Sequence, residues 1–90
     1  MSKEIEIYTS FVTSNLKFKK NTQSMKFMME AKKLPFTEID ISSDEDKKKY
    51  MFETSGKREF PQLYADGKFI GCWDEVEYFN EIGELDGKLK

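Results

Sequence analysis

Residues 60–75 constrain the fold more than any other stretch of the chain. They read Phe60-Pro61-Gln62-Leu63-Tyr64-Ala65-Asp66-Gly67-Lys68-Phe69-Ile70-Gly71-Cys72-Trp73-Asp74-Glu75. Asp-Gly flanked by strand formers is the strongest short-range hairpin signal, because the tight turn needs residues that tolerate positive φ. The spacing predicts strands over 63–65 and 68–70, with Pro61 just ahead of them. Asp74 can cap a last helix. In that helix Val76, Phe79 and Ile82 form an apolar stripe, and Gly83 ends it.

The upstream half reads as strand, helix, strand, helix. Residues 4–9 alternate, with Ile5 and Ile7 on one face and Glu4 and Glu6 on the other. A central strand would carry a more continuous apolar run, so Glu6 sits awkwardly there. Residues 10–15 are turn-like, with Thr13 or Ser14 as N-cap. A helix over about 15–33 follows. Phe18, Met25, Met28, Met29 and Lys32 fall near one stripe, closed by Leu34, and Pro35 stops it. Residues 36–41 form a second strand, and the long crossover implies that the two strands are parallel. Ser42 with Glu45, or Ser43 with Asp46, matches a capping box. In the following helix Asp44–Lys48 and Glu45–Lys49 are charge pairs in the favourable order, a solvated face. Tyr50, Met51 and Phe52 supply its core contact, and Gly56 is the residue just past its end. Residues 86–90 are polar and are expected to fray.

Ninety residues imply one domain, small enough to need an efficient core. Eight Phe, four Tyr and one Trp supply the area. A net charge of -2 with interspersed signs leaves no basic field for nucleic acid. No apolar run is long enough to span a bilayer, and none at the start resembles a signal peptide. A single cysteine, Cys72, and no histidine leave no disulfide framework and no usual zinc site. A reducing, cytoplasmic setting fits.

The order βαβαββα, in an α/β chain of this length with a four-stranded mixed sheet, resembles the glutaredoxin branch of the thioredoxin superfamily. Phe60-Pro61 stands where that superfamily keeps a cis-proline. Ile70-Gly71-Cys72-Trp73-Asp74-Glu75 resembles the glutaredoxin Gly-Gly-x-Asp-Asp corner, with Cys72 for the second glycine. Gly83-Glu84-Leu85 resembles the end of the last helix. The run from Ile7 to Ser14, the lysine-bearing helix and Asp40-Ile41-Ser42 resemble the SH3-domain-binding glutamic acid-rich-like proteins, glutaredoxin folds without the redox dithiol. Phe60-Pro61-Gln62 is similar to that family's Pro-Pro-Gln. The SH3-binding activity in the family name needs a proline-rich segment. The only prolines here are Pro35 and Pro61, so it is not carried over.

The resemblance implies a reacting thiol at the start of the first helix, where the helix N-terminus lowers its pKa. This chain has none there, so it is expected to be no enzyme. Cys72 has three readings: a small residue at a tight corner, a modifiable thiol, or a residual catalytic group. The resemblance also implies a groove, lined here by Phe60, Pro61, Gly71, Cys72, Trp73 and Asp74. There the Phe60 main chain would meet an extended ligand, or Phe60 would only fill space, and the corner N–H groups would meet a carboxylate. Bulky Trp73 and the Cys72 side chain speak against preserved glutathione binding. Trp73 either anchors a partner or packs against the hairpin. Lys17, Lys19 and Lys20 form either a basic rim or a solvated face. The expectation is a non-catalytic adapter with a protein partner and no cofactor. Weak glutathione binding, redox sensing through Cys72 and a degenerate oxidoreductase are the rivals.

Overall fold

The computed structural model describes residues 3–89. Its elements are β1 (Ile5–Thr9), α1 (Leu16–Ala31), β2 (Phe36–Asp40), α2 (Glu45–Ser55), β3 (Gln62–Ala65), β4 (Lys68–Cys72), α3 (Trp73–Glu81) and α4 (Leu85–Leu89). The sheet order is β2-β1-β3-β4. β1 and β2 are parallel, as the crossover requires. β3 runs antiparallel to β1 and to β4.

Strand alternation splits the core between the two faces of the sheet. Ile5, Ile7, Leu63 and Ala65 face Met25 and Met29 of α1, Val76 of α3, and Leu85 and Leu89 of α4. Tyr8 and Tyr64 point the other way, toward Ile41 and Met51 under α2. Their rings lie 4.5 Å apart. β1 is central despite Glu6, which is half-buried on the same face of the sheet as Tyr8. It lines a surface recess there with Tyr8 and Tyr50.

The hairpin forms as the sequence dictates. Asp66 and Gly67 both take positive φ, 52° and 78°, the signature of a type I′ turn. The Asp66 carboxylate accepts the Glu4 N–H at 2.8 Å, which ties the turn to the start of β1. Tyr50 of α2 donates its hydroxyl to the Gly67 carbonyl.

Several local expectations are corrected. The α1 cap is Asn15, not Thr13 or Ser14; its side chain accepts from Phe18 N–H at 3.1 Å. The buried face of α1 is Thr22, Met25 and Met29, while Lys32 reaches out to Asp86 at 2.8 Å. Pro35 does not end the helix. Lys33 does, at φ 58°, with Leu34 N–H on Met29 C=O and Lys33 N–H on Glu30 C=O, a Schellman turn without its usual glycine. The α2 cap is Asp44, which accepts from Lys47 N–H at 3.1 Å. Ser42 and Ser43 instead donate to Asp40. Lys48 lies over the Phe52 ring, and Lys49 pairs forward with Glu53. Gly56 takes the left-handed conformation past α2, as expected.

The C-terminal end departs most. Residues 85–89 form α4, which buries Leu85 and Leu89 almost completely. Lys3 Nζ donates to the Lys88 carbonyl, linking α4 to the start of the chain. Two leucines four apart lie on one side of a helix, so a single turn suffices to bury both. Ile82, by contrast, is exposed.

Candidate functional site

The site lies where the loops after β1 and β2 meet the Pro61 loop and the start of α3. Asp40 organises the first two. One of its carboxylate oxygens accepts from Phe11 N–H at 3.1 Å, Ser42 N–H at 3.0 Å and Ser42 Oγ at 2.6 Å. The Ser42 hydroxyl first, and then the Phe11 N–H, hold this carboxyl below its ordinary pKa.

The loop held by Phe11 is where the family resemblance puts a thiol. Here it presents hydrocarbon: Phe11 is 58%, Val12 76% and Leu16 78% exposed. The first helical residue is Leu16, and the side chain that uses the helix N-terminus is Asn15.

The Phe60–Pro61 peptide bond is cis. Gln62, fully buried, donates its side-chain amide to the carbonyls of Lys57 and Glu59 at 3.1 and 2.7 Å and accepts from the Tyr64 hydroxyl at 3.0 Å. That clamp fixes the loop ahead of Pro61. Among the described residues the Phe60 main chain makes no hydrogen bond. The Phe60 ring packs on Phe18 of α1, centroids 4.5 Å apart.

Pro61, Gly71 and Cys72 are buried, Phe60 and Trp73 are half-buried, and Asp74 is exposed. Cys72, not Asp74, caps α3. The Glu75 carboxylate folds back to accept the Cys72 N–H at 3.4 Å and the Lys57 ammonium at 2.7 Å. The corner N–H expected to meet a ligand carboxylate thus meets one from its own chain. Gly71 permits this: a Cβ there would stand 2.7 Å from Glu75 Cβ.

Burial pushes the Cys72 thiol up to about 11, against a smaller pull from Lys57. Glu59, Glu75 and Asp74 push in the same direction as burial. Helix polarity, which favours a thiolate, is outweighed because Cys72 is only 6% exposed.

The groove is correspondingly closed. The crevice bounded by Lys17, Phe18, Phe60, Cys72, Trp73 and Asp74 holds about 10 Å³, scarcely room for one water. Trp73 packs against the buried cluster and lines a larger groove of about 700 Å³ along α1 with Ser24, Phe27 and Met28. Lys17, Lys19 and Lys20 are all exposed. Lys17 edges the crevice, whereas Lys19 borders a different recess beside Thr9 and Glu38. They form no single rim. Among the described residues no three His, Cys, Asp or Glu side chains group to hold a metal.

Sequence reasoning missed Phe18, Gln62, Glu75 and the exposed Phe11, Val12 and Leu16. Three of these had a signal. Phe11-Val12 is an apolar pair inside a turn. Glu75 lies three residues after Cys72, which is capping-box spacing with an unusual cap.

A match with the family described as SH3-binding, glutamic acid-rich protein covers residues 3–90. Glutaredoxin 3 of Escherichia coli (strain K12) is 31% identical over 65 residues, spanning 72% of this chain and 78% of the relative. Two solved structures share the fold. C. albicans actin interacting protein Aip5 gives a TM-score of 0.86 at 22% identity, over 97% of this chain and 88% of that one. The buckwheat glutaredoxin–glutathione complex gives 0.76 at 17%, over 97% and 76%. The chain therefore belongs to the SH3-binding, glutamic acid-rich protein family, with the glutaredoxin-like fold of the thioredoxin superfamily.

Proposed function

We propose that this protein is a non-catalytic, partner-binding member of the glutaredoxin-like group, acting in the cytoplasm. The observation that carries the reading is the exposed Phe11, Val12 and Leu16 at the position where a glutaredoxin needs its thiol. A thiolate attacking sulfur is the first step of thiol–disulfide exchange. The one thiol in this sequence is buried elsewhere, with its pKa raised to about 11. Exposed apolar side chains close together mark contact surfaces. The partner face combines Phe11, Val12 and Leu16 with the edges of Phe60 and Trp73. The fold likeness to a protein described as actin interacting agrees with a protein partner. No described helix is long and apolar enough to cross a membrane.

Glutathione is not part of this reading, because the crevice is filled by Phe18 and Phe60 and the corner N–H is taken by Glu75. Two measurements test it: turnover of a glutathione mixed disulfide, with Cys72→Ser as control, and glutathione titration followed by Trp73 fluorescence. The expected results are no turnover above the blank and no fluorescence change at millimolar ligand. Cys72-dependent turnover would overturn the non-catalytic reading.

A further inference from the structure

We propose that Ser42 is a phosphorylation site for an acid-directed kinase, and that the phosphate so formed is held by Lys48 and Arg58. This does not depend on the partner-binding reading. Residues 42–46, Ser42-Ser43-Asp44-Glu45-Asp46, are all exposed, Ser42 to Asp44 in the turn leading into α2 and Glu45 and Asp46 as its first two residues. From Ser42, acids follow at the second, third and fourth positions. A kinase with a basic substrate groove selects that pattern by charge complementarity. Ser43 meets the same acidic run, but of the two only Ser42 lines the neighbouring crevice.

That crevice, about 370 Å³, is bordered by Ser10, Ser42, Lys48 and Arg58 over a floor of Phe52 and Phe60. Lys48 Nζ and the Arg58 guanidinium sit over the Phe52 ring at 5.9 and 5.5 Å from its centroid. Neither makes a salt bridge among the described residues. They form a pair of cations without an anion, one on α2 and one on the Pro61 loop.

In the transfer, Ser42 Oγ attacks the γ-phosphorus of ATP. The bond from that phosphorus to the β–γ bridging oxygen breaks and ADP leaves with the electron pair. The hydroxyl proton passes to the kinase's base. The product carries between one and two negative charges at neutral pH. It cannot stay where the hydroxyl now lies, 2.6 Å from the Asp40 carboxylate, because like charges repel there. Asp40 and Asp44 push the phosphate outward, and Lys48 and Arg58 draw it into the crevice. Two oxygens can then meet a guanidinium and an ammonium as charge-assisted bonds. Asp40 loses one donor and keeps the Phe11 and Ser42 N–H groups.

The test is phosphorylation of the whole chain with casein kinase type II and ATP, with the site mapped by fragmentation mass spectrometry. Expected is one phosphate on Ser42, lost in Ser42→Ala and retained in Ser43→Ala. No incorporation, or incorporation confined to Ser43, overturns the assignment. On the phosphorylated protein, ³¹P resonance against pH reads the cradle. The second ionisation should lie about one unit below that of a free phosphoserine. It should return toward about 6 in the Lys48→Ala, Arg58→Ala double variant. An ordinary value unmoved by those substitutions overturns the cradle. Ser42 and Arg58 are exposed and Lys48 is half-exposed, and circular dichroism confirms that each variant is folded.

Discussion

The Phe18 and Phe60 rings meet at 4.5 Å, bridging α1 and the Pro61 loop across the place where a glutaredoxin-like groove would open. One ring comes from the helix and the other from the residue before the cis peptide bond. Together they form a seam between α1 and the Pro61 loop. Phe18→Ala should therefore open the seam and lower stability by about 1–2 kcal/mol, less than the roughly 3–5 of a fully buried Phe, because Phe18 is half-exposed. Chemical denaturation measures the loss, and an unchanged midpoint would show that the contact contributes nothing.

Cys72 should be inert near neutral pH. Its thiol is raised to about 11 from an ordinary 9.0, so reaction with a disulfide reagent should climb steeply only as pH approaches that value. Stability should follow. Tyr64 is also raised by burial, to about 12 from 10.0. Groups whose folded pKa is raised contribute fully below the unfolded pKa and lose that contribution as pH rises through the folded one. Denaturation midpoints should be flat with respect to these groups below about pH 9 and fall between about 9 and 12. Rapid labelling of the folded protein at pH 7 would contradict this.

α4 should matter more than its five residues suggest. Leu85→Ala removes a side chain that is 1% exposed and should cost about 2–5 kcal/mol. A surface substitution usually stays within about 0.5 kcal/mol, so a loss that small would return this segment to a frayed tail.

Lys33→Gly should stabilise. Lys33 holds φ 58°, and the left-handed conformation costs a residue with a side chain about 1–2 kcal/mol. Removing that strain while keeping the Schellman bonds should raise the denaturation midpoint. A lowered midpoint would mean that the Lys33 side chain contributes more than its backbone strain costs.

The fold was legible because it is written in local signals: the Asp66-Gly67 turn, the alternation at Ile5 and Ile7, and the helical crossover. The caps misled because Ser42, Ser43 and Asp44 all suit the role, and only the tertiary position of Asp40 recruits the two serines elsewhere. The closing of the site was hidden for a similar reason. Phe18 reads as core from its place in the helix, and nothing local says that it meets Phe60, 42 positions away. At Cys72 the acids Asp74 and Glu75, which oppose helix polarity, are visible locally, but the burial that raises the thiol most comes from neighbours distant in sequence.

The central claim is that the surface at the start of α1 binds a partner where its relatives do chemistry. Affinity capture from the native cell extract tests it, comparing wild type with Leu16→Glu and with Tyr78→Ala. Tyr78 is a control, exposed and aromatic but on α3. Recovery should be lost with Leu16→Glu and retained with Tyr78→Ala. Equal recovery by wild type and Leu16→Glu, with both shown to be folded, would contradict the account.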